Sequence, residues 1–182
     1  MRVIAGTARG RRIIAPAGHN VRPTLDRVRQ ATFNALVHRD VVADRQVLDL
    51  FAGSGALGIE ALSRGAAHVT FVENDREALR CIETNLDVLG FRRQATVVRS
   101  DASRWLAANR GSFDLVFADP PYSFDGWVAL LGAIHSTLSG AGDGLAVLET
   151  PDVLELGIGW DVVRQQRYGG TVVTLAAPSI PD

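Results

Sequence analysis

The sequence has one cysteine and no lysine, and it lacks an apolar run long enough to cross a membrane. A single cysteine excludes a disulfide framework and a cysteine-rich metal site. We predict that Cys81 is a buried structural thiol in a helix. Without a signal peptide or a membrane-length segment, the chain is predicted to be cytoplasmic and to have no membrane partner. Its 182 residues, 47% of them hydrophobic, suit one globular domain.

The basic residues are all arginines, and they are concentrated near the N-terminus. Residues 1–40 carry eight arginines and two acids, a net charge of +6, whereas the remainder carries 11 arginines and 18 acids, a net charge of −7. A basic segment on an acidic body is typical of an arm that binds a polyanion. The alternative is a solvated surface of no special use.

The first 23 residues differ in pattern from the rest of the chain. RVIA, GTARG and RRIIAP predict two short strands around a turn bounded by glycines. We therefore predict a basic β-hairpin arm over residues 1–23 and a main domain over residues 24–182. Thr24 is predicted to be the N-cap of the helix that follows.

From Gln46 onward, apolar strands alternate with helical patterns, which predicts an open and mostly parallel α/β sheet covered by helices on both faces. Asn74 and Glu77 fit a capping box at the start of one helix. Tyr168-Gly169-Gly170 predicts a hairpin turn, so that an antiparallel pair ends the sheet. The predicted strands cover residues 46–51, 68–73, 95–99, 113–118, 144–149, about 161–167 and 170–176, and the helices between them cover about 56–64, 75–89, 101–109 and 125–139.

A glycine-rich loop follows the first of these strands. Gly53, Gly55 and Gly58 form a G-x-G-x-x-G pattern at the start of a helix, and Glu73 ends the next strand. Such glycines permit a tight turn and a close approach of the backbone to a ligand, and the acid can bind ribose hydroxyls. The pattern fits either a nicotinamide dinucleotide or a nucleoside cofactor. Asp49 would repel a pyrophosphate, which favours S-adenosylmethionine (SAM).

A third acid, Asp101, follows the third predicted strand. Its carboxylate could accept a hydrogen bond from an adenine amino group. It could equally be an acid at a helix N-terminus, where it would favour the helix dipole. The sequence leaves both interpretations open.

The fourth predicted strand ends in the stretch FDLVFADPPYSF, and its Asp-Pro-Pro-Tyr turn indicates a substrate with an exocyclic amine. In open α/β sheets, ligands bind beyond the carboxyl ends of the strands, so Asp119 is predicted to face the same crevice as the glycine loop. The Asp119 carboxylate and the Pro120 carbonyl could each accept one N–H of the amine. Pro121 stiffens the turn, because proline cannot continue a central strand. Tyr122 could stack on the ring of a flipped or single-stranded base.

These motifs resemble those of the SAM-dependent amino-methyltransferases, and more closely those of the RsmD family. The similarity is carried by MRVIAGTARGRRI, RPTLDRVRQATFNAL, LDLFAGSGALGIEALSRGA and DPPY, in this order. It implies a Rossmann-like class I methyltransferase fold with a seven-stranded, mostly parallel sheet, an antiparallel last strand and an N-terminal hairpin extension. It also implies SAM as the methyl donor, no metal, and the exocyclic N2 of one guanine in 16S rRNA of the 30S subunit as the acceptor. We expect the protein to be a monomer.

The resemblance also implies a role for individual residues. The residues that would hold the substrate amine are Asp119, Pro120, Pro121 and Tyr122. The residues that would hold the cofactor are Asp49, Phe51, Ala52, Gly53, Ser54, Gly55, Glu73, Asn74, Asp101 and Ala102. The residues that would bind the RNA are Arg9, Arg11, Arg12, Arg22 and Thr24.

Four other functions remain as alternatives. A DNA adenine N6-methyltransferase would share the motif, but 182 residues leave no room for a separate recognition domain. A protein glutamine methyltransferase gives no reason for the N-terminal arginines. Asp49 and the Pro-Pro turn oppose a nicotinamide oxidoreductase. The intact glycine and acid positions oppose an RNA-binding module without activity.

Overall fold

The computed structural model describes residues 1–16, 23–109, 111–138 and 144–179. These residues form one seven-stranded sheet with helices on both faces. The strands are β1 (Gln46–Leu50), β2 (His68–Glu73), β3 (Ala95–Arg99), β4 (Leu115–Ala118), β5 (Leu145–Thr150), β6 (Trp160–Tyr168) and β7 (Thr171–Pro178). The helices are α1 (Pro23–Val37), α2 (Ala56–Ser63), α3 (Arg76–Leu89), α4 (Ala102–Ala108) and α5 (Trp127–Thr137), with a 3₁₀ turn at Arg92–Gln94.

The strand order is β3-β2-β1-β4-β5-β7-β6, and it confirms the predicted fold class. The first five strands along the chain run parallel, and β7 pairs antiparallel with both β5 and β6. After β1 the chain moves outward to β2 and β3, and then it returns to place β4 on the other side of β1. A crevice forms at such a switch point beyond the carboxyl ends of the strands.

Alternate residues of the central strands enter two separate hydrophobic cores, as expected for a sheet covered on both faces. Val47, Phe117 and Val147 point to the core that contains Phe33 of α1. The residues between them, such as Val116, point to the core that contains α4 and α5. This alternation fixes the face to which each residue at a strand end points.

The N-terminal residues form a short antiparallel hairpin with one ladder bridge, between Arg2 and Arg12. Val3 and Ile13 are buried in the same core as α1. The buried side chain of Glu60 on α2 accepts backbone hydrogen bonds from Ile4 (2.8 Å) and Ala5 (3.0 Å). The hairpin is thus fastened to the first helix after the glycine loop.

Two predicted helix starts are wrong. Helix α1 begins at Pro23, so Thr24 lies inside the helix and is not its N-cap. Proline suits this first helical position because its missing N–H would have no partner there. The N-cap of α3 is Asp75, not Asn74, and its side chain accepts a hydrogen bond from the Ala78 N–H at 2.8 Å.

Most strand and helix bounds agree with the predictions within two residues. Cys81 is buried in α3, as predicted. Strand β4 begins at Leu115 because Phe113 forms only an isolated bridge with Leu138. In the part of the chain that the structure describes, no helix has both the length and the apolar composition to cross a membrane.

Candidate active site

Three acids lie on one face of three neighbouring strands, at their carboxyl ends. Asp49 belongs to β1, Asp119 directly follows β4, and Glu149 belongs to β5. All three follow the alternation of Val47, Phe117 and Val147, so they point toward α1. The strand order β1-β4-β5 places Asp119 between the other two.

Asp49 is 1% exposed and bonds to the start of α2. Its Oδ2 accepts a hydrogen bond from the Gly58 N–H at 2.9 Å, which is one of the unpaired N–H groups of the first helical turn. Dinucleotide enzymes bind pyrophosphate at this end of the corresponding helix. A buried acid in that place opposes the nicotinamide alternative and favours a ligand that carries positive charge.

Glu73 supports the glycine loop as well as facing the crevice. Its Oε2 accepts a hydrogen bond from the Gly53 N–H at 2.7 Å, and its Oε1 accepts from the N–H groups of Asn74 and Asp75 at 2.8 and 2.9 Å. The loop therefore takes its shape from the acid at the end of the next strand. This second role of Glu73 was not predicted from the sequence.

At two positions of the loop, the geometry requires glycine. Gly55 has φ +76°, a left-handed conformation that side chains disfavour. At Gly58 an added Cβ would lie 2.3 Å from the ring of Phe71, so α2 can pack against β2 only without a side chain there. The predicted G-x-G-x-x-G geometry is present.

Asp101 is the N-cap of α4, where its Oδ1 accepts a hydrogen bond from the Arg104 N–H at 2.9 Å. Of the two interpretations left open by the sequence, the structure therefore shows the helix-terminal one. The other carboxylate oxygen of this exposed residue makes no hydrogen bond with the described residues. Ala102, next to it, is buried under the sheet.

The Asp-Pro-Pro-Tyr segment forms a tight turn directly after β4. The Phe124 N–H donates to the Pro121 carbonyl at 2.8 Å, which closes the turn around Tyr122. Tyr122 is 70% exposed. Pro120 is buried, and its carbonyl accepts no hydrogen bond among the described residues, so its hydrogen-bonding capacity is unused.

Aromatic rings border this turn. Phe124 contacts Phe51 of the glycine loop and Trp127 of α5, each edge to face with ring centroids 5.5 Å apart. Phe51 itself has a left-handed backbone, with φ +57°. The contacts join the glycine loop to the Asp-Pro-Pro-Tyr turn, which the sequence predicted to face one crevice.

Burial is the largest cause of the raised carboxyl pKa values on the crevice face, and neighbouring acids add to it at Asp49 and Glu149. Burial raises the pKa of Asp49 to about 8, and the charges of Asp119 and Glu73 add to the effect. Burial and the charges of Asp119 and Asp49 raise the pKa of Glu149 to about 8, against the opposing effect of Arg29. Asp119 is an exposed residue by surface area, but the protein atoms that surround its carboxyl group exclude water from it on one side, which raises its pKa to about 6. A cation in the crevice would relieve this repulsion.

These shifts predict a pH-dependent stability for the ligand-free protein. Because the raised carboxyl pKa values let the folded state bind more protons than the unfolded state, the free energy of unfolding should fall as the pH rises from about 5 to about 8. Urea unfolding of the wild type and of Asp49→Asn across this range measures the effect. The variant should show a smaller decline, and equal declines would contradict the raised pKa of Asp49.

The predicted RNA-binding arginines differ in their surroundings. Arg9 and Arg12 are exposed, and their side chains make no hydrogen bond or ion pair with the described residues. Arg11 donates to the carbonyls of Val88 and Leu89 at the end of α3, so its side chain stabilises the hairpin against that helix. Arg22 and the side chain of Thr24 lie outside the described residues.

Sequence reasoning missed three buried polar residues near the site. Glu149 is 8% exposed, Glu60 is fully buried, and Arg29 of α1 is 5% exposed. A signal for Glu149 was present, because β1, β2 and β4 each have an acid at or just beyond the carboxyl end, and LAVLET repeats that pattern. Glu60 and Arg29 follow no such pattern.

Among the described residues, no cluster of acids, histidines and cysteine has the arrangement of a metal site.

The fold and the site define a SAM-dependent methyltransferase, with the glycine loop, the acid after it and the Asp-Pro-Pro-Tyr turn of the amino-methylating branch. A family model described as "Conserved hypothetical protein 95" matches residues 1–177. The chain belongs to that family, and the resemblance to the RsmD family of rRNA methyltransferases is confirmed.

Individual relatives agree with this assignment. A Bacillus subtilis protein named "Putative rRNA methyltransferase YlbH" is 42% identical over 182 residues, covering 96% of this chain and 97% of the relative. The Escherichia coli "Ribosomal RNA small subunit methyltransferase D" is 46% identical over 122 residues, which cover 67% of this chain and 60% of that protein. The solved structure entitled "Putative methyltransferase yhhF from Escherichia coli" has a TM-score of 0.87 at 35% identity and covers 100% of this chain and 99% of its own.

Proposed function

We propose that the protein transfers the methyl group of SAM to the exocyclic N2 amine of a guanine in 16S rRNA, within the 30S subunit. The observation that carries the proposal is the pair of available acceptors after β4, the Asp119 carboxylate and the Pro120 carbonyl. They stand beside the glycine loop at the switch point of the sheet. The names of the relatives support rRNA as the substrate.

The residues around the glycine loop suit a cationic nucleoside cofactor without phosphate. The Asp49 carboxylate is bonded to the N-terminus of α2, where a phosphate would otherwise bind. Glu73 Oε2 accepts a hydrogen bond from the Gly53 N–H of the loop. We assign the cofactor contacts to the segment 49–55, to Glu73 and Asn74, and to Asp101 and Ala102. Bound SAM would supply an electrophilic methyl group carried on a sulfonium.

Asp119 and Pro120 have a positioning role toward the amine. The lone pair of an amine on an aromatic ring is delocalised into the ring, so the amine is a poor nucleophile. If each of its N–H groups donates to one fixed acceptor, the lone pair is left free to point away from both of them. Asp119, with its pKa raised to about 6, can also accept the proton that the methylated amine releases.

The hairpin arm is proposed to dock the enzyme on RNA. Arg9 and Arg12 are exposed and unpaired, and they lie on the hairpin that Glu60 fastens beside the glycine loop. Arginines that neutralise phosphates release counterions and give salt-dependent binding. The described residues belong to one sheet with its helices and the hairpin, so we assign the RNA contacts to the arm and the site and propose that the shape of a structured ribonucleoprotein contributes to specificity.

The role of Tyr122 predicts different effects for two substitutions. Tyr122→Phe should keep most of the methyl transfer, because stacking needs the ring and the hydroxyl makes no hydrogen bond with the described residues. Tyr122→Ala should lower kcat/KM by about 10- to 100-fold, since stacking contributes roughly 1–3 kcal/mol per base. Steady-state kinetics on 30S particles measure both. Equal losses in the two variants would contradict stacking.

The role of the arm predicts a change in salt dependence. Arg9→Glu combined with Arg12→Glu should weaken binding to 30S particles and flatten the plot of log affinity against log salt by about 1 for each lost phosphate contact. Arg164→Glu, on the edge strand β6, is the matched control. Arg11 is left intact because it supports the hairpin. Unchanged 30S affinity in the double variant would show that the arm does not dock the enzyme.

The proposed function can be tested in cells that lack the gene. Nucleoside analysis of their 16S rRNA should show the loss of one N2-methylguanosine. Expression of the wild-type protein should restore it, and expression of Asp119→Ala should not. An unchanged content of N2-methylguanosine, with another methylated nucleoside missing, would overturn the substrate assignment.

A further inference from the structure

Among the described residues, Glu149 is a buried acid whose side chain has no hydrogen-bond partner. It lies at the carboxyl end of β5 and is 8% exposed. Its carboxyl group makes no hydrogen bond or ion pair with another described residue, and it differs in this from Asp49, Glu60 and Glu73. A nearly buried carboxyl group that no side chain or backbone N–H satisfies can accept a hydrogen bond from a ligand in the crevice.

The sheet register places Glu149 beside the amine-holding residue. Ala118 of β4 pairs with Leu148 of β5, so Asp119 and Glu149 extend side by side from neighbouring strands on the same face. Adjacent strands lie about 4.8 Å apart. Because the order is β1-β4-β5, Glu149 stands on the side of Asp119 away from the glycine loop. If Asp119 holds the amine of a substrate base, the glycine loop lies on one side of that base and Glu149 lies on the opposite side.

Helix α1 faces these acids with further unsatisfied groups. The buried Arg29 Nε and Thr32 Oγ1 have no hydrogen-bond partner, and they lie one turn apart on the helix. Burial and the charges of Asp119 and Asp49 raise the pKa of Glu149 to about 8, and the charge of Arg29 opposes this effect. A hydrogen-bond donor on the ligand and the positive charge of SAM would favour the ionised form further. Arg29 of α1 and Glu149 of β5 thus interact electrostatically at the carboxyl end of the sheet.

The chemistry of the purine edge identifies which atom suits Glu149. In guanine, the ring nitrogen N1 beside the 2-amine carries a hydrogen, so the edge presents two neighbouring donors. In adenine, N1 beside the amine is an acceptor, so an ionised Glu149 would repel it, and Glu149 could bind N1 only by holding a proton. Two acceptors side by side on β4 and β5 match the guanine edge.

We propose that Glu149 accepts a hydrogen bond from N1–H of the target guanine and so selects guanine over bases with an acceptor at that position. The inference rests on the proposed function, because it assumes that Asp119 holds the neighbouring N2 amine. Glu149 is then a specificity residue, and Asp119 acts on the reacting amine itself.

A substrate that keeps the amine but loses the N1 hydrogen tests this role. 30S particles can be assembled on 16S RNA that carries either guanine or 2,6-diaminopurine at the methylated position. Above about pH 8, where Glu149 is ionised, wild-type enzyme should prefer guanine by about 10- to 100-fold in kcat/KM, as expected when a buried acceptor loses its donor. The amide of Glu149→Gln can donate a hydrogen bond to the unprotonated N1 of 2,6-diaminopurine. The ratio of kcat/KM for guanine to that for 2,6-diaminopurine should therefore fall to near one or below it in this variant.

Binding and stability measurements separate specificity from damage to the fold. The affinity of each enzyme for both particles, measured with S-adenosylhomocysteine present, should show the same change of preference without catalysis. SAM affinity and the unfolding midpoint should remain near those of the wild type. Asp152→Asn, an acid just beyond β5 that is 85% exposed, is the control and should keep the guanine preference.

The possible failures are distinguishable. A wild-type enzyme that methylates neither particle would refute the proposed function. A wild-type enzyme that methylates guanine and 2,6-diaminopurine equally would refute the role of Glu149 without any variant. A folded Glu149→Gln variant that keeps the full guanine preference would refute it as well.

Discussion

Asp119→Ala is expected to lower methyl transfer to 30S particles by at least about 100-fold while SAM affinity stays unchanged. The substitution removes one of the two acceptors that orient the amine, and a small misplacement of reacting groups can cost about that factor. The cofactor contacts proposed for Asp49 and Glu73 lie on other strands and are retained. Single-turnover kinetics and calorimetry with SAM measure the two quantities separately.

A matched variant sharpens this test. Asp119→Asn keeps an acceptor oxygen in place and should retain more activity than Asp119→Ala. It removes a carboxyl whose pKa is raised to about 6, so the dependence of the rate on pH near 6 should weaken. Full activity in the alanine variant would overturn the role of Asp119 as amine acceptor.

Glu60→Ala is expected to lower the free energy of unfolding by about 3–5 kcal/mol, because it leaves buried charges without compensation. The fully buried Glu60 carboxylate bonds to Arg64 at 2.8 Å, lies 3.9 Å from Arg29, and accepts two backbone N–H groups of the hairpin. For a chain of this size, the unfolding midpoint should fall by roughly 10 °C. Urea and thermal unfolding give both numbers.

A surface acid provides the control for this loss. Glu83 pairs with Arg92 at 3.6 Å with both side chains about half exposed, and Glu83→Ala should change stability by less than about 1 kcal/mol. Glu60→Gln keeps an acceptor and should lie between the two. A Glu60→Ala protein as stable as Glu83→Ala would show that the hairpin does not depend on this acid.

The sequence predicted the architecture well because its signals are local. Each parallel strand is a short apolar run, and the glycines of the loop after β1 lie within six residues of one another in the chain, from Gly53 to Gly58. The acids Asp49, Glu73 and Asp119 could be placed at one edge of the sheet because parallel strands share their carboxyl ends. Helix starts could not be predicted from local sequence alone, because Asn74 and Asp75 are both good N-cap residues. The folded conformation of the loop places Asp75 at the N-cap of α3.

The remaining features depend on contacts between distant parts of the chain. Arg11 was predicted to bind RNA, yet it is held by carbonyls 77 and 78 residues away at the end of α3. In the sequence, Glu60 has the pattern of an ordinary polar residue of α2. Only the folded structure shows that the N-terminal hairpin covers it and bonds to its carboxylate. Glu149 lies beside Asp119 only through the register of β4 and β5. No local pattern contains such pairings.

The most direct test of the central claim is methyl transfer from tritiated SAM to defined substrates. These are 30S subunits from cells that lack the gene, naked 16S rRNA and duplex DNA, and digestion with chromatography then identifies the labelled nucleoside. The account predicts label in N2-methylguanosine, with 30S subunits as the substrate. Label in N6-methyladenine, or in DNA, would contradict the substrate assignment while leaving the amine-holding role of the Asp-Pro-Pro-Tyr turn in place.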